Sequence, residues 1–203
     1  KTAQNCILLY AGTNREMTEE MIDTVLSDFD KGDILLLQNE INLLNVIINR
    51  AYEKGMTIIL NPSPFDDALS VCDMSTTSIF LMNEVEGEQM TGEREPERIL
   101  SCMKKTYPEA QVVLTLGSDG SVYQYKEERY VQEIIKVKAV DTTAAGDTFT
   151  GYFVAGLLEG KSIPDTLLRC AKASAIAVSR KGAAPSIPYK EEVEAWKLNR
   201  KDE

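Results

Sequence analysis

The sequence predicts a three-layer α/β/α fold around a mostly parallel central sheet. Short runs of consecutive apolar residues, such as 33–37 and 56–60, are typical of strands buried on both faces. Stretches with helical apolar spacing alternate with these runs, which is the pattern of a parallel sheet covered by helices. By length, residues 1–203 fit one such domain, or at most a large domain with a small appendage.

The strands are predicted from apolar runs bounded by turn residues. In chain order they cover residues 5–11, 33–37, 56–60, 79–82, 112–116, 122–125 and 130–137. The last two are predicted to form a hairpin whose connection is residues 126–129.

The helices are predicted from apolar residues spaced by three and four positions. They cover residues 18–29, 43–54, 96–105, 145–158 and 164–179. Thr18 is the expected cap of the first helix, and Gly55 is expected to end the second. Proline in the first turn favours a helix start at Pro96.

Composition excludes several classes of function. The 32 acidic and 22 basic residues give a net charge of −10, which disfavours nucleic acid and anionic membranes as partners. The 203 residues contain no histidine, so they can form no Ser-His-Asp triad, histidine proton shuttle or histidine metal site. Proton transfer would therefore fall to carboxylates, lysine, tyrosine or cysteine.

The cysteines predict reduced thiols rather than disulfides or a metal site. They are widely spaced and form no CxxC pair: Cys6, Cys72, Cys102 and Cys170. The sequence starts without a signal peptide, so we expect a cytoplasmic protein. The longest apolar runs are far below the roughly 20 residues of a membrane helix, so no membrane partner is expected.

The most informative segment is residues 141–149, Asp-Thr-Thr-Ala-Ala-Gly-Asp-Thr-Phe, at the start of a predicted helix. Small residues let a ligand approach the backbone, and the N–H groups of a helix start attract anions. Asp147 lies in the first turn, where a carboxylate is favoured. An anion site beside a carboxylate base suits phosphoryl transfer to a hydroxyl. The same residues also fit an ordinary capped helix whose alanines allow close packing.

This segment resembles the C-terminal signature, written DTxGAGD, of the ribokinase-like (PfkB-type) sugar kinases. Five further segments resemble motifs of that family in the family's order. Residues 35–40 resemble the family's segment before a sugar-contacting acid, and residues 60–64 resemble its NPAP turn. Residues 83–92 resemble its NxxE motif with a trailing TG, residues 115–120 its TLGxxG nucleotide loop, and residues 180–188 its RKGAxPSxP segment. The sequences of these motifs are most similar to those of the family's ribose-phosphorylating members.

The resemblance implies an ATP-dependent kinase that transfers the γ-phosphate to a sugar hydroxyl, with O5 of ribose as the preferred acceptor. Asp147 would be the base, and Glu40 would contact the sugar with it. The anion hole would consist of Ala144, Ala145 and Gly146. The nucleotide would be bound by Asn83, Thr115, Leu116, Gly117, Ser118, Asp119, Gly120, Gly146 and Ala171.

Two cofactor ions are implied in the same way. Asn83 and Glu86 would organise Mg²⁺ and the ATP phosphates, mainly through water. A monovalent cation, K⁺, would be held by Asp141 and Ser186 with the carbonyls of Thr143, Ala177, Arg180 and Gly182.

Each of these roles has a plainer alternative from the residues themselves. Asn83 and Glu86 also fit a solvated helix start, and residues 115–120 fit the entry to a hairpin. Glu40 fits a solvated acid in a strand-to-helix loop, and Arg180 fits a charged helix end that complements the helix dipole.

Two departures of the chain from the family pattern matter for the prediction. Tyr152 stands where the family prefers a small residue. Residues 1–12 resemble the last strand of the family's lid, and the Gly-Gly sugar-binding motif that precedes it has no equivalent. The chain is therefore expected to be the C-terminal, nucleotide-binding portion of the family domain, with little activity alone.

The expectation has one consequence for assembly, and two alternatives to a ribose kinase remain open. An open sheet edge would favour a homodimer or larger self-association. The alternatives to a ribose kinase are a non-catalytic nucleotide-binding or interaction module, and a kinase for another furanose or a nucleoside.

Overall fold

The structure, a computed structural model, describes residues 10–70 and 72–196. Six strands occur in that part: β1 Ile34–Gln38, β2 Thr57–Asn61, β3 Ile79–Asn83, β4 Gln111–Thr115, β5 Ser121–Tyr125 and β6 Glu128–Gln132. The helices there are α1 Glu19–Leu26, α2 Leu44–Glu53, α3 Asp67–Ser70, α4 Glu84–Thr91, α5 Pro96–Thr106, α6 Ala145–Leu158, α7 Ile163–Val178 and α8 Lys190–Ala195.

The strands form one sheet in the order β1-β2-β3-β4-β5-β6. β1 to β4 are parallel, and β5 and β6 extend the sheet as an antiparallel hairpin. The sheet is therefore mostly parallel, as the sequence predicts, and β1 is its edge strand within the described residues.

Alternate side chains of the central strands pack on opposite faces of the sheet. In β3, Phe80 and Met82 join a core with α1, α2 and α5, whereas Ile79 and Leu81 join a core with α6 and α7. Because a strand's side chains alternate in direction, each continuous apolar run supplies both cores. The result is the predicted three-layer α/β/α arrangement.

The hairpin prediction was wrong in its details. Tyr125 pairs with Glu128, so the connection is only Lys126 and Glu127, and the strand ends at Gln132 rather than at residue 137. Two-residue turns match the twist of the paired strands, and Lys126 takes the positive φ (52°) that such a turn needs. Glu128 and Arg129, which were assigned to the loop, are thus part of an edge strand, where charge is tolerated.

Other boundaries also differ from the predictions. The first helix ends at Leu26 rather than at residue 29. The predicted strand at 5–11 lies mainly outside the described residues, and its described part, Tyr10 and Ala11, is not in a strand. Three helices, α3, α4 and α8, were not predicted, because short polar helices carry little apolar periodicity.

The structure also bears on the membrane and cysteine predictions. In residues 10–70 and 72–196, no helix has the length and apolar content required to cross a bilayer. Cys72, Cys102 and Cys170 are free thiols, and Cys6 lies outside the described residues. Burial raises the pKa of Cys170, which lies in the core between the sheet and α7.

Candidate functional site

The candidate site lies at the carboxyl ends of the parallel strands, where open α/β sheets bind ligands. The last residues of β1 to β4 lie side by side at this edge, with Gln38 in register with Asn61 and Asn83 in register with Thr115. Every one of these four residues is polar, although the strands themselves are apolar. The edge is therefore a polar surface on an apolar sheet.

The start of α6 presents backbone N–H groups together with a carboxylate. Ala144 is the N-cap residue in a left-handed conformation (φ 60°), at the position where the family signature has glycine. Its carbonyl accepts hydrogen bonds from the backbone N–H and the hydroxyl of Thr148. Among the described residues, the N–H groups of Gly146 and Asp147 have no acceptor. This is the geometry of an anion-binding helix start.

Asp147 and Glu40 line the same cleft, although they are far apart in the sequence. The cleft has a volume of about 370 Å³ and lies between β1 with the loop after it and α6. Gln38 lines it from the end of β1, and Thr150 and Gly151 line it from α6. Both carboxylates are exposed, so they are accessible to a ligand in the cleft.

A second cleft, of about 330 Å³, lies on the other side of Asp147. Tyr152, the residue that departs from the family pattern, lines it, and its hydroxyl donates to the carbonyl of Pro188 at 2.7 Å. The guanidinium of Arg169 lies 5.2 Å from the centre of the Tyr152 ring and pairs with Glu159 at 2.9 Å. Tyr152 thus ties α6 to the segment that precedes α8.

Asn83 and Glu86 form a capping box at the start of α4. The Asn83 side chain accepts from the Glu86 N–H at 2.9 Å, and the Glu86 carboxylate accepts from the Asn83 N–H at 2.8 Å. Glu86 is only 7% exposed, and none of the ion pairs within the described residues involves it. The plainer alternative, a helix start, is thus present as this capping box, but Glu86 is buried rather than solvated.

The candidate nucleotide loop is a single 3₁₀ turn, Gly117–Asp119, that leads from β4 into β5. The N–H of Leu116 donates to the carbonyl of Gly120 at 2.8 Å and closes the loop. A Cβ atom on Gly120 would lie 2.1 Å from the carbonyl oxygen of Gln132, whereas one on Gly117 would meet nothing within 4 Å. Gly120 is therefore required by the protein's own backbone, and Gly117 faces open space.

Asp141 and Gly182, two residues of the implied monovalent-cation site, come together from distant segments. The Asp141 carboxylate accepts from the Thr143 hydroxyl at 2.6 Å and N–H at 3.0 Å, and from the Gly182 N–H at 3.0 Å. These hydrogen bonds, led by that of the Thr143 hydroxyl, lower the pKa of Asp141 to about 2. The Val178 carbonyl accepts from the N–H groups of Val140 at 2.8 Å and Asp141 at 3.2 Å, so the last turn of α7 adjoins this loop.

The remaining predicted site residues are Ser186, Arg180 and Ala171. Ser186 is fully buried and donates to the Ala183 carbonyl at 2.7 Å. The Arg180 guanidinium pairs with Glu192 at 2.6 Å, so its side chain is engaged away from its own carbonyl. Ala171 is half-buried on α7. In the described part of the chain, no cluster of three or more acidic or cysteine side chains could hold a metal by itself.

Sequence reasoning missed three polar residues at the strand ends. Gln38 and Asn61 belong to the polar edge, and Asn39 is 2% exposed. The Asn39 side chain donates to the Pro64 carbonyl at 2.7 Å and to Asp66 at 2.8 Å, which fixes the turn after β2. The signal that could have identified them is a polar residue directly after each apolar run.

The structure defines an α/β/α protein in which a polar edge and a cleft lie at the carboxyl ends of a mostly parallel sheet. The chain belongs to the pfkB family of carbohydrate kinases, whose family model matches residues 1–190.

Ribokinases are among the proteins to which this chain is similar. The ribokinase of Haemophilus influenzae is 34% identical to this chain, in an alignment that covers 95% of this chain and 64% of the relative. The structure of ribokinase from Thermotoga maritima superposes with a TM-score of 0.82 at 36% identity, covering 96% of this chain and 66% of that one. The structure of Arabidopsis thaliana ribokinase complexed with ribose and ATP has a TM-score of 0.78 at 31% identity, covering 95% and 65%. The chain thus spans about 64% of the length of the curated relative.

Proposed function

We propose that residues 1–203 are the nucleotide-binding portion of an ATP-dependent sugar kinase that phosphorylates a sugar hydroxyl. The observation that carries this proposal is the setting of Asp147. Its carboxylate lies in the first turn of α6, next to N–H groups without acceptors in the described residues, and borders the cleft that Glu40 also lines. A base and an anion-binding site side by side are what phosphoryl transfer to a hydroxyl requires.

In this proposal each group has a defined task. The Asp147 carboxylate accepts the proton of the attacking hydroxyl, and the anion hole of Ala144, Ala145 and Gly146 stabilises the charge on the transferred group. Glu40 holds the sugar in the cleft. ATP lies along residues 115–120 and Asn83, with Ala171 near its base. The preferred acceptor is O5 of ribose, since the Arabidopsis relative is complexed with ribose and ATP.

Asn83 and Glu86 would hold Mg²⁺ through water. The fit rests on Glu86, a buried carboxylate that hydrogen bonds satisfy and that no cation in the described residues neutralises. A bound Mg²⁺ would neutralise charge on the ATP phosphates, and it usually keeps several water ligands.

The loop at Asp141 would hold K⁺ through oxygen atoms alone. The proposed ligands are Asp141 and Ser186 with the carbonyls of Thr143, Ala177, Arg180 and Gly182. An all-oxygen set of carboxylate, hydroxyl and carbonyl groups suits a hard cation. The ion would order the loop that leads into α6.

The test is ribose-dependent ADP release with Mg²⁺ and K⁺, measured on this chain and on a version extended to the length of its relatives. We expect Asp147→Asn to reduce the rate about 10²–10⁴-fold, the usual contribution of a positioned base. Asp165→Asn is the matched control, because Asp165 occupies the first turn of the neighbouring helix α7. An extended protein without ribose-dependent ADP release would refute the assignment to ribose. A panel of furanoses and nucleosides would then identify the acceptor.

A second candidate function is a non-catalytic nucleotide-binding or interaction module. The observation that favours it is the length, about 64% of the curated relative. Calorimetry with a non-hydrolysable ATP analogue separates the two. A nucleotide-responsive property that survives Asp147→Asn in full supports the module, whereas its loss together with ADP release supports the kinase.

A further inference from the structure

A chain of hydrogen bonds runs along the polar edge of the sheet, from the cleft lined by Asp147 to the start of α4. It begins at Gln38, whose Nε2 donates to Oδ1 of Asn61 at 3.2 Å. Nδ2 of Asn61 then donates to the Leu81 carbonyl at 2.7 Å and reaches Oε2 of Glu86 at 3.5 Å. Asn61, at the end of β2, thus links β2 to the neighbouring strands β1 and β3.

The contacts of Asn61 fix the orientation of its amide. Oδ1 faces a donor on β1, and Nδ2 faces two acceptors on β3 and α4. A flipped amide would place its oxygen against the Leu81 carbonyl and the Glu86 carboxylate, which is repulsive on both sides. Gln38 therefore helps to keep the Asn61 donor directed at Glu86.

Glu86 needs such a donor because its carboxylate is buried. It is 7% exposed, and its other donors are the N–H and the side-chain amide of Asn83, at 2.8 and 3.0 Å. Both come from its own capping box. Asn61 contributes the donor from a different strand, and buried polar groups require full hydrogen bonding. Without Asn61, Oε2 of Glu86 would keep only one of these donors.

We propose that Asn61 is a positioning residue that holds the Glu86 carboxylate in the orientation needed for magnesium-dependent nucleotide binding. This inference rests on the proposed function. Asn61 touches neither the nucleotide nor the sugar in it; the residue acts through Glu86. Gln38 also lines the cleft with Glu40 and Asp147, where the sugar is proposed to bind. The same hydrogen-bond chain therefore joins that cleft to Asn83 and Glu86, which are proposed to organise the ATP phosphates.

The test compares Asn61→Ala with Asn42→Ala. Asn42 is the matched control, since its side chain also bonds a distant segment, at the N–H (3.0 Å) and carbonyl (2.9 Å) of Met17. Calorimetry measures binding of a non-hydrolysable ATP analogue with and without Mg²⁺. We expect Asn61→Ala to reduce the Mg²⁺-dependent gain in affinity about tenfold and to leave magnesium-free binding within twofold. Asn42→Ala should leave both affinities unchanged.

A second measurement does not depend on nucleotide. Hydrogen exchange of the Asn83 N–H, which donates to Glu86, should be at least tenfold faster in Asn61→Ala and unchanged in Asn42→Ala. Unchanged exchange, or an equal loss of affinity with and without Mg²⁺, would overturn the positioning role. If the unmodified chain binds no analogue, the proposed function fails, and the exchange rate still decides whether Asn61 holds Glu86.

Discussion

At the residue scale, the candidate site depends on backbone groups as much as on side chains. The Asp141 carboxylate is stabilised mainly by three hydrogen bonds from Thr143 and Gly182, with a smaller contribution from the positive charge of Lys181. Ala144 keeps a left-handed conformation that costs roughly 1–2 kcal/mol in a residue other than glycine. Both residues shape the segment that presents Asp147.

The first residue-scale prediction concerns pH. The folded-state pKa of Asp141 is about 2, below the unfolded value of about 3.9, so its stabilising effect is complete above pH 4–5. The effect is lost as the pH falls through about 2. The NMR shift of the Gly182 N–H, titrated from pH 6 downwards, should therefore change with a midpoint near 2. Asp141→Asn should remove this step, and a midpoint near 4 would contradict the prediction.

The second residue-scale prediction separates two glycines of the candidate nucleotide loop. Gly120→Ala should lower the free energy of unfolding by more than about 2 kcal/mol, because φ is +93° and the new methyl would displace the Gln132 carbonyl. Gly117→Ala meets no atom within 4 Å, so it should cost only about 1 kcal/mol of backbone strain. Urea unfolding measures both variants. Equal losses would show that Gly120 is not confined by β6.

At the element scale, α6 has two different faces. Gly156 faces α7, where a Cβ atom would lie 2.6 Å from a methyl carbon of the fully buried Thr166. Gly151 faces the two clefts and has no neighbour within 4 Å. The same helix therefore packs closely on one side and leaves room for ligands on the other.

This asymmetry predicts opposite effects for the same substitution. Gly156→Ala should destabilise the fold by about 1–3 kcal/mol, the usual cost of overpacking. Gly151→Ala should stabilise it by up to about 1 kcal/mol, because alanine favours the helix and the space is open. Chemical denaturation of the two variants gives the comparison. A destabilising Gly151→Ala would mean that another part of the protein fills the clefts.

At the scale of the whole molecule, the two edges of the sheet differ in their protection. The outer strand β6 carries charged residues, including Glu128 and Arg129, which discourage pairing with another sheet. The outer strand β1 reads Ile-Leu-Leu-Leu-Gln and exposes 43% of Leu36. Within the described residues, β1 is thus the apolar edge.

We therefore expect residues 1–203 to self-associate through β1. Light scattering coupled to size exclusion should detect dimers or larger species, and Leu36→Lys should shift them towards monomer. Val131→Lys on β6, a residue of comparable exposure at 61%, should leave the distribution unchanged. A monodisperse monomer of the unmodified chain would contradict this prediction.

Much of the fold could be predicted because its determinants are local. The runs that became β1 to β5 and the bounds of α6 follow from apolar patterning over a few residues. The hairpin to β6 could not be predicted in detail, because the register Tyr125↔Glu128 depends on turn geometry and on pairing across strands. The short helices α3, α4 and α8 were missed because so few residues show little apolar periodicity.

The sequence by itself determined the class of fold, the family and the residues around Asp147, since these depend on short motifs and on the alternation of strands and helices. Only the tertiary structure decided which distant residues meet. It brings Glu40 and Asp147 to one cleft, Asp141 to Gly182, and Asn61 to Glu86. The physical reason is that these contacts depend on the strand register and on the packing of α6 against the sheet, which no single segment encodes.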